Sequence, residues 1–196
     1  MDIGPNSKPL EIFKSWMAEM KTRPDIHEPS AMSLATTDGE HLHSRVVLCR
    51  GWDEEGFTFY TNYQSKKGLD LQQHSRASAV FYWDAVFRQV CISGTVSKTS
   101  REVSEKYWNA RARESQLSQY ISHQSQPVNS REDLQLAWTK ADQEFKTKPI
   151  PCPKQWGGYL LAPHRIEFWV GHTNRLHDRF EFSKQSSGWT LRRLYP

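Results

Sequence analysis

Between Ala31 and Asn62, three β-rich runs, AMSLATT, HLHSRVVLCRGW and FTFYTN, are separated only by a turn at Asp38-Gly39 and by the tetrapeptide DEEG. Links this short force antiparallel pairing, because parallel neighbours need a crossover of about a dozen residues. A short helix is expected from about Ser65 to His74, and two further runs, ASAVFYW and RQVCISGTVSKT, follow it. The pattern predicts a mainly β chain whose antiparallel sheet closes into a barrel with flanking helices outside, rather than a doubly wound parallel sheet.

The helices announce themselves by their ends. Pro9 opens, and Pro24 closes, a segment to about Arg23 with Ile12, Phe13, Trp16, Met17 and Met20 at helical spacing. Thr99 or Ser100 caps a helix expected to run to about Leu117, and Ser130 caps another carrying Leu134, Trp138, Ala141 and Phe145. Pro149, Pro151 and Pro153 make a stiff connector. Two final strands are expected, GGYLLAPHRIEFWVG, interrupted around Pro163, and RFEFSKQSSGWTLRRLYP. The 196 residues suit one domain over 1–196, with 1–9 as a flexible N-terminus.

Composition removes several classes of function. A net charge of +4 without a Lys/Arg run speaks against a nucleic-acid partner. No stretch reaches the roughly 20 apolar residues of a membrane helix, and MDIGPNSKP has no leader-like apolar run, so no membrane association and a cytoplasmic location are expected. Cys49, Cys91 and Cys152 are odd in number and far apart, with no zinc-type spacing, so neither a disulfide framework nor a metal is expected. GxSxG, HExxH, P-loop and GxGxxG motifs do not occur.

Three constellations remain. Thr61, Ser65, Lys66 and Lys67 lead into a helix start, where hydroxyls, ammonium groups and free N–H groups suit a phosphate; the alternative is a solvated basic turn with Ser65 as an ordinary cap. Tyr107, Arg111 and Ser115, four residues apart on one helix, form a polar stripe able to clamp a phosphate or carboxylate, or an unremarkable exposed face. In NRLHDR, an extended backbone points Arg175, His177 and Arg179 to one face and Leu176 and Asp178 to the other; Asp178 or Glu167 is the alternative, structural partner for these charges. Arg45 and Arg50 of SRVVLCR fall on opposite faces of a straight strand, so they share a site only through a bulge, a twist or a ligand between subunits. Phe81, Tyr82, Trp83 and Phe87 read as core, and Cys49 and Cys91, with no His beside them, are poor nucleophiles. A site rich in anion-binding groups and poor in nucleophiles takes its reactive atom from a cofactor.

The blocks SRVVLCR, FYTNYQSKKG, FYWDAVFRQV, KYW through RARESQ, SHQS, WGGY, EFWVG, NRLHDR and the final RLYP follow one another from about Leu10 to the C-terminus. In these blocks the chain resembles the pyridoxine/pyridoxamine 5′-phosphate oxidase family of FMN enzymes. The resemblance implies an antiparallel split β-barrel, homodimeric, with FMN at the subunit interface. It implies FMN contacts from Arg45, Val46, Val47, Leu48, Cys49 and Arg50, from Tyr60, Thr61, Lys66 and Lys67, and from Gln89, Gln124, Ser125, Trp169 and Arg179. Substrate contacts are implied for Arg50, Tyr107, Arg111, Ser115, Arg175, Leu176 and His177, with Arg175 and His177 at the reacting carbon. The implied reaction oxidises pyridoxine 5′-phosphate or pyridoxamine 5′-phosphate to pyridoxal 5′-phosphate by hydride transfer to FMN, with dioxygen as acceptor and hydrogen peroxide as product.

Three departures from the family pattern stand out: Arg50 where Lys is usual, Asn109 and Ala112 where His and Pro are usual, and an N-terminus without a basic arm. The rival readings are a phenazine-biosynthesis-like split-barrel FMN oxidase, a non-catalytic flavin or pyridoxal phosphate carrier, and a basic nucleic-acid-binding barrel.

Overall fold

The computed structural model describes residues 3–196. Strands β1 (Ala31–Thr37), β2 (Leu42–Trp52) and β3 (Phe57–Asn62) form the expected meander, followed by helix α2 (Lys66–Gln73) and strands β4 (Arg76–Trp83) and β5 (Arg88–Lys98). Helix α1 (Pro9–Thr22) precedes them; α3 (Arg101–Asn109), α4 (Arg113–Ile121) and α5 (Arg131–Glu144) follow, then β6 (Trp156–Val170), β7 (Asp178–Gln185) and β8 (Gly188–Leu194). All pairings are antiparallel, in the order β3-β2-β1-β4-β5-β6-β7-β8, and a further β3–β6 pairing closes six strands into a barrel.

Local chemistry explains the helix starts. Ser65, Ser100 and Ser130 each accept a hydrogen bond from the N–H three residues on, satisfying donors that the first helical turn leaves free. Helix α1 starts with Pro9 and buries one face: Phe13, Met17 and Met20 have no exposed surface. The Phe13 ring meets Trp52, Phe57 and Phe81 edge-on at 4.9–5.5 Å, which ties the helix to β2, β3 and β4 at once. A second, smaller core of Trp108, Leu117, Ala141, Phe145, Ile150 and Trp156 joins α3, α4 and α5 to the start of β6.

Several expectations need correction. The helix after Ser100 is not continuous: Ala110–Ala112 break it into α3 and α4, and Ala112 adopts extended geometry (φ −57°, ψ 143°) that no helix interior contains. The last run is two strands, because Gly188 (φ +121°) permits a tight hairpin between β7 and β8. Strand β6 is not interrupted at Pro163; its pairing with β5 shifts register there, and Gly94 faces Pro163 so closely that a Cβ would lie 2.2 Å from the Ala162 carbonyl oxygen. Of the expected aromatic core, Phe81 and Trp83 are buried, but Tyr82 and Phe87 are 55% and 62% exposed. Residues 1 and 2 of the expected flexible terminus lie outside the described residues; Ser7 donates its N–H to the Gly4 carbonyl, and Ile3 packs on the main core.

Phe13→Ala should remove about 3–5 kcal/mol of stability, the usual cost of emptying a large buried aromatic site. Leu136→Ala, on the exposed face of α5, should stay within about 0.5 kcal/mol of the parent. Urea unfolding followed by tryptophan fluorescence measures both.

Candidate functional site

The opposite-face problem of strand β2 does not arise at this site, because residues from both faces of the strand border one cleft. The β2–β3 pairing shifts register between Cys49 and Gly51, leaving Arg50 without a partner and breaking the two-residue alternation. Arg45 and Arg50 of a single chain line one cleft of about 470 Å³, without help from a second subunit. Val46, Val47 and Leu48 line the same wall. Cys49 does not: it is buried, its thiol donates to the Gly51 carbonyl at 3.3 Å, and burial pushes its pKa up to about 12.

The opposite wall combines β3, α2 and the loop after α4. Tyr60, Thr61, Lys67 and Gln124 all border the cleft. Lys67 is almost fully buried, and its ammonium donates to Gln124 Oε1 at 2.9 Å and to the hydroxyls of Thr61 and Ser65 at 3.2 Å. These acceptors are neutral. Burial, reinforced by Arg45, lowers the Lys67 pKa to about 8. Lys66, one residue earlier and so about 100° away around the helix, turns from the cleft to Asp38 (2.7 Å) and Asp70 (3.2 Å). Ser65 is the ordinary cap of the alternative reading as well as a ligand of Lys67. Ser125, beside Gln124, has φ +71° and does not border the cleft.

Tyr107, Arg111 and Ser115 reach the cleft together, though not as a stripe on one helix. Tyr107 lies in the last turn of α3, Arg111 sits in the break and Ser115 lies in the first turn of α4; Ala112, not foreseen as a contact, joins them. The Tyr107 ring stacks on Tyr60 at 3.8 Å, Trp156 lies parallel behind Tyr60 at 5.5 Å, and the Arg111 guanidinium rests 5.2 Å from the Trp156 ring. Arg111 donates one hydrogen bond to the Ser115 carbonyl, and its buried Nε has no partner. Desolvation lowers the pKa of both Arg45 and Arg111. Arg45, Arg50, Lys67 and Arg111 thus face one space, and among the described residues none that lines it is acidic. A compact dianion with several acceptor oxygens matches this charge and donor set.

NRLHDR is not extended, so its alternation fails. Arg175 occupies a turn at φ +62°, and only Asp178 and Arg179 belong to β7. Arg179 pairs with the buried Glu167 at 2.7 Å and donates to the Tyr195 carbonyl, so the structural partner considered from sequence is present. Asp178 is engaged by His172 and Arg193 instead. His177 lies 4.8 Å from the Trp169 ring, and its Nδ1 accepts the His172 N–H at 3.0 Å, so the neutral ring carries its proton on Nε2. Gln89, Trp169 and Arg179 stand in register across β5, β6 and β7, while Leu176 is exposed beside them. None of these residues borders the cleft of the same chain. Apart from Cys49, Lys66 and Ser125, the expected site residues therefore form two groups, one lining the cleft and one on the outer part of the sheet.

Sequence reasoning passed over Asp70 and Thr36, which stand behind Arg45. Asp70 is the only acid in the helix KKGLDLQQ, and that isolation was the available signal.

Comparison with known proteins gives the family. Residues 18–144 match the family model described as pyridoxamine 5′-phosphate oxidase, and residues 156–196 match that described as the pyridoxine 5′-phosphate oxidase C-terminal dimerisation region. A pyridoxine/pyridoxamine 5′-phosphate oxidase of Rubrobacter xylanophilus is 42% identical over 194 residues, covering 98% of this chain and 89% of the relative. One from Acaryochloris marina is 43% identical over 192 residues, covering 97% and 87%. Among solved structures, PhzG from Burkholderia lata, in complex with tetrahydrophenazine-1-carboxylic acid, has a TM-score of 0.91 at 30% identity, covering 98% of this chain and 94% of that one. With both family regions matched in order and relatives above 40% identity over nearly the whole length, the chain belongs to the pyridoxine/pyridoxamine 5′-phosphate oxidase family.

Proposed function

We propose that this protein is an FMN-dependent oxidase that converts pyridoxine 5′-phosphate and pyridoxamine 5′-phosphate to pyridoxal 5′-phosphate. The observation that carries the reading is the cleft itself: four cationic side chains, no acid, and a buried Lys67 whose charge meets only neutral oxygens. Such a charge is costly to bury unless an anion arrives to pair with it. Lys67, Arg45 and Thr61 would hold the FMN phosphate at the start of α2, and Val46 to Leu48 would supply an apolar wall for the flavin. Arg111, Tyr107, Ser115 and Arg50 would hold the substrate phosphate at the other end.

When bound, FMN supplies two-electron oxidation of the substrate's 4′ carbon, with dioxygen as the final acceptor and hydrogen peroxide as product. The chain's own task is to place that carbon. The stack of Tyr60, Tyr107 and Trp156 fixes the phosphate clamp by fixing Tyr107 and Arg111, so the anchored end of the substrate does not drift. Arg175 and His177 would face the substrate ring, His177 through the Nε2–H that its Nδ1 contact leaves available.

Since the second group of residues is separate from the cleft of its own chain, the complete site is read as shared between two copies. A homodimer would bring the Gln89–Trp169–Arg179 row and the NRLHDR turn of one copy to the cleft of the other, which the family's dimerisation region at residues 156–196 supports. Among the described residues no helix is long and apolar enough to cross a membrane. Cys49, Cys91 and Cys152 are all unpaired, which suits the reducing cytoplasm where we place the enzyme. The likeness to PhzG favours one second reading, a flavin oxidase acting on a tricyclic carboxylate.

An absorption spectrum of FMN-loaded protein, followed by oxygen uptake with pyridoxine 5′-phosphate, tests the main reading. Flavin bands with oxygen consumption are expected; bound flavin without turnover of this substrate would favour the second reading, and a protein that binds no FMN would overturn both. Lys67→Met should raise the FMN dissociation constant roughly 10- to 150-fold, the range for losing one hydrogen-bonded charge, while leaving turnover at saturating FMN largely intact. At an FMN concentration that loads the parental cleft but neither variant, mixing Lys67→Ala and Arg179→Ala proteins under subunit exchange should restore about a quarter of parental activity, since half the dimers then carry one intact site. No recovery would overturn the reading of a site shared between two copies.

A further inference from the structure

Asp70 is fully buried behind the cleft, with no surface exposed. Its Oδ2 accepts the Thr36 hydroxyl at 2.6 Å and lies 3.1 Å from His43 Nδ1 and 3.8 Å from the Arg45 guanidinium; its Oδ1 lies 3.2 Å from the Lys66 ammonium. Thr36, having given its single proton to Asp70, accepts a hydrogen bond from Arg45 Nη1 at 2.7 Å, and the same nitrogen donates to the Leu34 carbonyl at 3.0 Å. The relay has only one direction. A guanidinium can only donate and a carboxylate can only accept, so the hydroxyl between them is oriented from both ends.

Asp38, His43 and Asp70 also converge closely enough to hold a metal ion, but the Lys66 ammonium already bridges the two carboxylates at 2.7 and 3.2 Å. The cluster's cation is the protein's own lysine. Its remaining role is directed at the cleft, where Arg45 and Lys67 lie side by side and repel one another.

We propose that Asp70 is a positioning residue for the cofactor phosphate: through Thr36 it fixes Arg45 at the cleft wall, and from three residues along α2 it sets a buried negative charge behind Lys67. The inference rests on the reading of this cleft as the FMN site. Two further facts agree with it. Burial works against ionised Asp70, yet the Thr36 hydroxyl and Lys66 outweigh it and hold its pKa below the usual carboxylate value. Around Lys67, burial and Arg45 favour the neutral amine, whereas Asp70 favours the ammonium.

The pH dependence follows from the groups that face Lys67. These are Arg45 from β2, Asp70 and Lys66 from α2, the neutral Thr61, Ser65 and Gln124 oxygens, and, across the cleft, Arg50, Arg111 and the phenols of Tyr60 and Tyr107; His43 and Asp38 act only through Asp70 and Lys66. A phosphate binds the protonated lysine, so FMN affinity of the apoprotein is full below the Lys67 pKa of about 8 and falls as pH rises through it. Removing the Asp70 charge lowers that pKa further, so the fall begins at lower pH.

Titrating apoprotein with FMN from pH 7 to 10, by quenching of flavin fluorescence, tests this on the parent, Asp70→Asn and Thr36→Val. The parent should lose affinity with a midpoint near pH 8, accompanied by proton uptake on binding. Asp70→Asn should weaken binding at pH 7 about tenfold, as for loss of one charge-assisted contact, and should move the midpoint down. Thr36→Val should weaken binding while leaving the midpoint in place, because it cuts the relay and spares the charge. Parental affinity and midpoint in a folded Asp70→Asn overturn the proposal. If Asp70→Asn does not fold by circular dichroism, parental affinity in Thr36→Val overturns it instead. Failure of the FMN reading itself looks different: the parent apoprotein then binds no FMN at any pH.

Discussion

Strand β6 has to satisfy three neighbours, and the rest of the molecule is arranged around how it does so. One edge pairs with β5 along nearly its whole length; the other pairs with β3 over Trp156–Leu161 and with β7 over Arg165–Val170. The change of partner falls at Ala162–His164, where the β5 pairing also slips and Pro163 has no N–H to offer a ladder. Before that point β6 closes the barrel; beyond it β6 leaves the barrel and carries β7 and β8 outward. The two groups of site residues fall on either side of this switch. The cleft group lies near the closed part, where Tyr60 pairs with Gly158 and Thr61 with Gly157, and the Gln89–Trp169–Arg179 row lies on the part that has left it. At Gly157 any Cβ would strike the Tyr63 hydroxyl at 2.1 Å, so the tight seam between β3, β6 and α3 requires glycine there.

Charge is managed differently in the two regions. On the outer sheet, Glu167 and Glu181 stand directly opposite each other and are both buried, an arrangement that would repel if left alone. Arg165 bridges the two glutamates, Arg179 pairs with Glu167 and Arg192 with Glu181, so the acids are answered within the chain. At the cleft the cations have no acid among the lining residues, and their one buried counter-charge, Asp70, is set behind the wall. The first pattern stabilises the fold at its own expense of polar groups; the second leaves positive charge available to a ligand.

Much of the architecture was legible in short stretches of sequence. The cap at Ser130, the choice of Thr99 or Ser100 before α3 and the prolines flanking α1 agree with the structure because a cap acts within three residues of itself, whereas Ser65 entered as a cap only in the alternative to a phosphate site. The break at Ala110–Ala112 was missed because helical periodicity carries on through it: Tyr107, Arg111 and Ser115 still reach one cleft after the chain has bent. Gly188 marked the last hairpin but was passed over inside a run rich in strand formers. An extended NRLHDR would place Arg175, His177 and Arg179 on one face, whereas Arg175 at positive φ puts the first half in a turn.

By itself the sequence determined the antiparallel meander, the starts of α1, α2, α3 and α5, and the family, because turn lengths, capping hydroxyls and motif blocks act over a few residues. It also named nearly all the cations of the cleft. What only the tertiary structure decided is which of them meet. Both faces of strand β2 border the cleft, one residue of helix rotation separates Lys66 from Lys67, and Gln124 reaches Thr61 across 63 positions. Such convergence depends on strand register and on buried relays like Arg45–Thr36–Asp70, whose members come from different elements. Hydrogen bonds of that kind carry no local pattern, so they become visible only when the barrel has closed.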